Sequence, residues 1–233
     1  MDRNITTQSE TTIPEKIWKT SITKTELAEL PAETYAGTIH LIDTAEAAEQ
    51  AAAALSNEKM IGFDTETKPS FRRGERHSVS LLQLSSPTDT YLFRLNHIGM
   101  PPCVTSLLEN SEILKIGVSI HDDFLNLHKK FELDPHGFVD LQNYVKEFNI
   151  SDNSLSRIYG ILFDKRISKG QRLSNWEAPV LTQYQQEYAA LDAQACLTIY
   201  IHLHDNGFDY NKSKYYREFD NPDFIQTKPE ETI

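Results

Sequence analysis

Two acidic side chains separated by one residue follow an apolar run, in Phe63-Asp64-Thr65-Glu66. Side chains at positions i and i+2 of a strand lie on the same face. Asp64 and Glu66 would then place two carboxylates side by side, which is unfavourable unless a cation lies between them. Hard divalent cations prefer such oxygen ligands. The triplet therefore predicts a metal site, although the solvated end of a strand would show the same pattern.

A second apolar run leads into acids at residues 117–124, with the sequence GVSIHDDF. Asp122 and Asp123 fall where a helix is expected to begin, and acids at that position are favoured by the helix dipole and the unpaired N–H groups. One acid could cap the helix while the other binds a cation. His121 is a candidate ligand beside them, although we favour its interpretation as a polar loop histidine.

A third motif, Tyr188-Ala189-Ala190-Leu191-Asp192, lies in a long helical pattern. Tyr188 and Asp192 are four residues apart, so they lie on one face of the helix. The alanines between them allow the helix to pack closely against another element. By itself this motif could be a core tyrosine beside a surface aspartate.

The elements that position these motifs alternate along the chain. Hydrophobic patterning and turn residues predict strands at 38–42, 60–66, 79–84, 90–93 and 113–119. Helices are predicted at 45–55 with Thr44 as N-cap, after Pro102, from about Asp122, at 141–148, at 155–159 and from about Thr182 to His204. Consecutive strands followed by strand–helix alternation predict an α/β fold, a mixed sheet with helices on its faces.

Composition and charge narrow the class of protein. The chain has 233 residues, of which 39% are hydrophobic and 24% charged, as in globular domains. No stretch approaches the ~20 apolar residues of a membrane span, and the first ten residues contain no apolar signal core. We therefore expect a cytoplasmic protein without a membrane partner. We expect residues 1–20 to be a flexible segment, 21–210 one domain and 211–233 a weakly ordered tail.

The net charge of −11 is unusual for a protein that binds phosphates. Cations are nevertheless concentrated in two places. One group, Arg72, Arg73 and Arg76, follows the first acidic motif, and residues 157–172 carry five cations against one acid. An acidic protein with such patches and bound divalent cations can still hold the end of a nucleic-acid strand.

Taken in order, the three motifs resemble those of the DEDDy branch of the DnaQ-like 3'-5' exonucleases, which includes ribonuclease D and the Werner exonuclease domain. FDTE, GVSIHDDF and YAALD correspond to the three motifs of that family. The segment 171–178 (QRLSNWEA) resembles the ribonuclease D type of sequence before the third motif. The resemblance covers roughly residues 35–205. It implies a ribonuclease H-like mixed five-stranded sheet, antiparallel and then parallel, flanked by helices.

The resemblance also implies roles for individual residues. Asp64, Glu66 and Asp192 match ligands of one divalent cation, Mg²⁺ or Mn²⁺, and Asp64 also reaches a second. Tyr188 matches the tyrosine that orients the attacking water. In the family the acid of the second motif lies six residues after the motif's glycine, which selects Asp123 and leaves Asp122 as a helix cap.

The implied reaction is hydrolysis of the terminal phosphodiester of DNA or RNA, from a single strand or a duplex end, to release nucleoside monophosphates. We predict contacts to the strand from a set of polar, cationic and aromatic residues. These are Thr65, Phe71, Arg72, Arg73, Lys165, Arg166, Lys169, Arg172 and Trp176. A solvated face explains the charges as well, and Trp176 could equally be a packing anchor.

Two other functions are compatible with the same residues. One is a catalytically weak module that binds nucleic-acid ends, and the other is a metal-dependent phosphohydrolase of small nucleotides. The sequence indicates no obligate protein partner. It shows no appended helical RNA-binding domain after the third motif, so we do not expect transfer-RNA processing.

Overall fold

The computed structural model describes residues 16–220 and contains two sheets. The larger sheet has six strands and the smaller has two. The strands are β1 (Lys16–Thr20), β2 (Thr38–Ile42), β3 (Met60–Thr67), β4 (Val79–Ser85), β5 (Asp89–Phe93), β6 (Leu114–Gly117), β7 (Phe138–Asp140) and β8 (Tyr216–Asp220).

Eight α-helices accompany these strands within the described residues. They are α1 (Lys24–Glu29), α2 (Ala45–Leu55), α3 (Leu95–Ile98), α4 (Pro102–Glu109), α5 (Ile120–Leu127), α6 (Leu141–Tyr144), α7 (Leu155–Phe163) and α8 (Gln183–Asn206). Short 3-10 helices follow at Val145–Phe148 and Tyr210–Lys212. The hydroxyl of Thr44 accepts a hydrogen bond from the Ala47 N–H, so Thr44 is the N-cap of α2 as predicted.

Strand β3 lies inside the large sheet, whose order is β2-β5-β4-β3-β6-β7. It pairs antiparallel with β4 and parallel with β6. The strands β4 and β5 are antiparallel, whereas β2 runs parallel to β5 and β7 runs parallel to β6. The predicted mixed α/β sheet is thus confirmed, and its interior strand is the one that carries the first acidic motif.

The two faces of β3 have different roles because its side chains alternate. Ile61 and Phe63 are fully buried in one hydrophobic core with residues of α2, α4 and α5. Helix α8 packs against the opposite face, on β3 and β4. A β-carbon added to Gly62 would lie 1.9 Å from the carbonyl oxygen of Ala193 in α8. This close approach brings Asp64 and Asp192 to the same place.

The number of strands differs from the prediction. We expected five strands in the main sheet, whereas the structure has six because β7 pairs with the edge of β6. The prediction missed β7 because it has only three residues, all half-buried, which is too short for a pattern of alternation.

The ends of the described chain also contain structure that the sequence did not indicate. Strand β1 pairs antiparallel with β8 over five residues each. These strands, at residues 16–20 and 216–220, lie within the segments that we expected to be flexible or weakly ordered. Residues 1–15 and 221–233 lie outside the described residues, and the domain boundaries at 21 and 210 stay a prediction. Between residues 16 and 220, no helix is both long and apolar enough to cross a bilayer.

The close approach of β3 to α8 gives a first prediction. Gly62→Ala should lower the free energy of unfolding by about 1–3 kcal/mol, because the new methyl group must displace the α8 backbone. It should also reduce any activity of the site. Chemical denaturation measures the first effect. Gly170→Ala is the matched control, since its β-carbon would meet only the Ser168 hydroxyl at 3.5 Å. Equal stability of the two variants would contradict this account of the packing.

Candidate active site

Three carboxylates from two elements meet at one place in the structure. Asp64 and Glu66 come from β3, and Asp192 comes from α8. One oxygen from each lies within 4.8 Å of the others. Asp64 and Glu66 are half-buried and Asp192 is buried. A cluster of three buried-to-half-buried carboxylates is a donor set suited to a hard divalent cation.

The fourth predicted acid, Asp123, lies beside this cluster. It is half-buried on the first turn of α5, and its carboxylate accepts a hydrogen bond from the Thr65 hydroxyl. Asp122 and His121 are exposed to solvent. The structure therefore brings Asp123 towards the other acids and leaves Asp122 outside, which supports the choice made from the spacing.

The predicted helix-capping role of Asp122 is wrong. The N-cap position of α5 is Ser119, in the left-handed conformation with φ 60°, and its side chain makes no capping hydrogen bond. Instead, the Ile120 N–H donates to the Asp140 carboxylate at 3.1 Å. Asp140 also accepts a hydrogen bond from the Gln142 N–H at the start of α6. One carboxylate at the end of β7 thus accepts hydrogen bonds from the N-termini of both α5 and α6.

The carboxylates repel one another because they lie close together in a largely buried place. Burial raises the pKa of Asp64 well above its ordinary value, and Asp192 raises it further. Burial, followed by the charge of Asp64, raises the pKa of Glu66 and likewise that of Asp123. Burial also raises the pKa of Asp192, although the hydroxyl of Tyr188 opposes this effect. A cation among these oxygens would offset the repulsion.

Tyr188 lies one helical turn before Asp192 and lines the same cleft. Burial, and then the charges of Asp192 and Glu66, raise the pKa of its phenol. The hydroxyl therefore stays protonated at neutral pH. One side of the Tyr188 ring packs near Trp176, with ring centroids 6.1 Å apart.

Three consecutive residues before α8 attach this region to different parts of the fold. Trp176 is fully buried in a cluster that includes Ala189 and contacts Tyr188. The Glu177 carboxylate lies 2.8 Å from Nδ1 of His77, in the loop between β3 and β4. The carbonyl oxygen of Ala178 accepts a hydrogen bond from the buried Arg94, which follows β5. The segment thereby holds Tyr188 against the sheet.

Asp64, Glu66 and Asp192 line a cleft of about 440 Å³. Lys169, Arg172 and Thr65 line it, and their role as substrate contacts stays a prediction. Arg172 is close enough to Glu66 to lower the pKa of that residue, and Lys169 acts in the same way on Asp192. These two cations therefore place positive charge beside the carboxylates.

Other predicted substrate-binding residues lie elsewhere. Lys165 forms an ion pair with Glu33 at 3.0 Å, and the Nε of Arg166 donates to the carbonyl oxygen of Leu30 at 3.0 Å. These two cations hold the N-terminal segment rather than face the cleft. Trp176 is inaccessible to a base because it is fully buried, so it is the packing anchor.

Phe71, Arg72, Arg73 and Arg76 are all exposed in the loop of residues 68–78 between β3 and β4. Phe71 exposes 76% of its surface. They do not line the cleft, but the loop begins directly after the strand that carries Asp64 and Glu66. Because the loop directly follows the residues of the site in the sequence, its exposed surface remains a candidate for binding a nucleic-acid strand.

Several residues that line the cleft were missed by the sequence analysis. They are Val118, Ser119, Gln142, Asn153, Ser154, Leu155, Ser156, Ile167, Ser168 and Cys196. Most are small or uncharged, so their types do not indicate chemistry. Asp140 was also missed, although an acid directly after a strand and before a helix is a recognisable capping signal.

Comparisons with known proteins place this chain among 3'-5' exonucleases. Residues 39–207 match a family model described as 3'-5' exonuclease. The bifunctional 3'-5' exonuclease/ATP-dependent helicase WRN of Mus musculus is 35% identical over 159 residues, which are 66% of this chain and 11% of that protein. A 3'-5' exonuclease of Arabidopsis thaliana is 29% identical over 151 residues, 62% of this chain and 52% of that protein.

Solved structures show the same fold. The EXO domain of Nibbler from Aedes aegypti superposes with a TM-score of 0.66 at 25% identity, covering 77% of this chain and 96% of that one. RNase D of Escherichia coli superposes with a TM-score of 0.65 at 22% identity, covering 72% and 44%. The match thus covers 11% of the length of the mouse relative and 52% of that of the Arabidopsis relative. It covers 96% of the Nibbler EXO domain.

The repulsion among the acids gives a prediction for the metal-free protein. Because the folded state raises the pKa of Glu66, it binds that proton more tightly than the unfolded chain does. The stabilising contribution of Glu66 to the free energy of unfolding is complete below about pH 4.3, the pKa of this carboxyl in the unfolded chain. It is lost as pH rises towards the pKa of Glu66 in the folded state. Glu66→Gln should therefore raise the melting temperature at pH 7 in a chelator, by about 2–4 °C for each kcal/mol of repulsion removed.

The same variant should gain less from added Mg²⁺ or Mn²⁺ than the unmodified protein does. Thermal unfolding at pH 5 and pH 7, with and without the cation, measures both effects. Asp122→Asn is the matched control, because this acid is exposed. A Glu66→Gln variant that melts at a lower temperature than the unmodified protein in chelator would contradict the proposed repulsion.

Proposed function

Because this chain belongs to the 3'-5' exonuclease family, we propose that it is a metal-dependent exonuclease that removes nucleoside monophosphates from the 3' end of DNA or RNA. One observation carries the proposal: Asp64, Glu66 and Asp192 converge within 4.8 Å in a cleft that Lys169 and Arg172 also line. A site for phosphodiester hydrolysis needs both a place for cations and positive groups for the phosphate.

We infer that Asp64, Glu66 and Asp192 hold a divalent cation and that Asp64 and Asp123 reach a second. Ligands that are all carboxylates fit Mg²⁺ or Mn²⁺, whereas Zn²⁺ more often uses histidine or cysteine. The raised pKa values of these acids reflect burial and mutual repulsion, which bound divalent cations would offset. When bound, the cations would supply acidity to a water and offset the charge that develops on the leaving oxygen.

The protein's own groups would position the reactants. Tyr188 is a poor general base, because its phenol has a raised pKa and stays protonated. Its hydroxyl can instead hold the attacking water in line with the phosphorus, while Thr65 fixes the orientation of Asp123. Lys169 and Arg172 are placed to bind the phosphate oxygens beside the acids.

The proposed activity makes a direct prediction about single carboxylates. Asp64→Asn and Asp192→Asn should each reduce kcat by about 1,000-fold or more, because each removes a ligand without changing side-chain size. The assay follows a 5'-labelled strand with Mg²⁺ or Mn²⁺, and the expected product is a ladder that shortens one nucleotide at a time. Matched DNA and RNA, single-stranded and duplex, define the polymer in the same experiment.

Asp122→Asn is the control for this test, and it should keep activity within about threefold since the acid is exposed. Internal cleavage of the strand would contradict exonuclease action. Turnover of free nucleotides alone would support the phosphohydrolase, and tight binding of strands without cleavage would support a binding module. Near-normal rates in Asp64→Asn or Asp192→Asn would refute the assignment of the site.

The loop of residues 68–78 gives a separate prediction about binding. Replacing Arg72, Arg73 and Arg76 together by alanine should weaken binding of long single strands. For each phosphate that the variant no longer neutralises, the slope of log K against log salt should become shallower by about 0.7. Fluorescence anisotropy across a range of salt concentrations measures the slope. The control replaces exposed lysines outside the cleft, Lys24, Lys129 and Lys130. Equal slopes in the two triple variants would exclude the loop from strand binding.

A further inference from the structure

A second cavity lies against the wall of the catalytic cleft. Its volume is about 340 Å³, and Tyr188 and Ser168 line both it and the cleft. The cavity therefore adjoins the cleft at these two residues. Nothing in the proposed reaction uses it.

The walls of the second cavity combine aromatic surface with a few polar groups. Tyr184 lies one helical turn before Tyr188 on the same face of α8 and exposes 74% of its surface. Its ring packs on no other aromatic ring within residues 16–220. Gln171 provides an amide at the cavity wall. An exposed ring beside hydrogen-bonding groups suits a flat heterocycle, because a base can stack on the ring and bond through its edge.

The charges of the cavity disfavour a phosphate. Glu33 is neutralised, since Lys165 lies 3.0 Å from its carboxylate and the Tyr159 hydroxyl donates to it at 2.9 Å. Glu187 has no cationic partner among the described residues. One of its oxygens accepts a hydrogen bond from the Gln183 amide at 2.7 Å. A carboxylate in this position repels phosphates but accepts hydrogen bonds from the N–H groups of a nucleobase.

From these features we propose that the second cavity is a subsite for the nucleobase of the penultimate nucleotide, the one that becomes the new 3' end. This inference rests on the proposed exonuclease function. The cleft holds the terminal nucleotide and the scissile phosphate, because the acids and the cations are there. The neighbouring base stacks on Tyr184 and bonds to Glu187. The nucleic-acid strand is thereby held with its terminal nucleotide on one side of Tyr188 and the penultimate base on the other.

The test combines protein variants with modified strands. Tyr184→Ala removes the ring, and Tyr184→Phe keeps it as the matched control. Strands carry an abasic residue at one of the four positions nearest the 3' end. Anisotropy in a chelator measures binding, and initial rates with Mn²⁺ measure turnover. Binding of free nucleosides, measured separately, distinguishes a site for strands from a site for small molecules.

For the intact strand, Tyr184→Ala should weaken binding and raise KM by about 5- to 100-fold, whereas Tyr184→Phe should match the unmodified protein. An abasic residue at the penultimate position should weaken binding to the unmodified protein by a similar factor. It should leave binding to Tyr184→Ala almost unchanged. Glu187→Gln should change the preference among bases at that position alone.

The proposal would be overturned if Tyr184→Ala lost binding affinity equally for strands with an abasic residue at each of the four positions. Unchanged binding of the intact strand by Tyr184→Ala would also overturn it. Binding of free nucleosides that depends on Tyr184, with no effect on strands, would overturn it as well. Because binding is measured in a chelator, it does not depend on turnover. If the unmodified protein binds strands without cleaving them, the exonuclease function fails while the subsite is still tested.

Discussion

The structure depends on one unfavourable interaction, the mutual repulsion of carboxylates that the fold holds within a few ångströms of one another. Asp64, Glu66 and Asp192 have raised pKa values because burial and their neighbours' charges act together. Such an arrangement is unfavourable unless a cation offsets the charges. The packing around the site is therefore best understood as the means of keeping these acids together against their repulsion.

Two features of the packing supply this constraint. The first is the close approach of Gly62 to the Ala193 carbonyl, which fixes the distance between β3 and α8. The second is the segment 176–178, which ties the start of α8 to β5 and to the loop after β3 through Ala178 and Glu177. The same segment supports Tyr188 through the buried Trp176. Residues that touch no substrate thus determine the geometry of those that would.

Much of the fold and of the candidate site was predictable from the sequence because the signals are local. Strand β2, helix α2 and the Thr44 cap follow from patterning and capping rules, and their bounds agree with the structure. The i, i+2 spacing of Asp64 and Glu66 places both on one face whatever the rest of the chain does. The choice of Asp123 over Asp122 came from spacing alone, and the burial of Asp123 supports it. The capping role given to Asp122 was wrong because Asp140, distant in sequence, takes the helix N–H.

Other parts depend on tertiary interactions that no local pattern encodes. Strand β7 is too short to show alternation, and β1 and β8 are strands only because they pair with each other. Lys165 and Arg166 have the same residue types as Lys169 and Arg172. Only the fold turns the first two towards Glu33 and Leu30 and the other two towards the cleft.

The central claim is that the repelling acids form a cation site. The most direct measurement is anomalous diffraction from crystals of the protein soaked in Mn²⁺. The account predicts an anomalous peak among the carboxylates of Asp64, Glu66 and Asp192, which disappears in Asp192→Asn. Crystals that diffract well and show no peak at this position, at a Mn²⁺ concentration that supports activity, would contradict it.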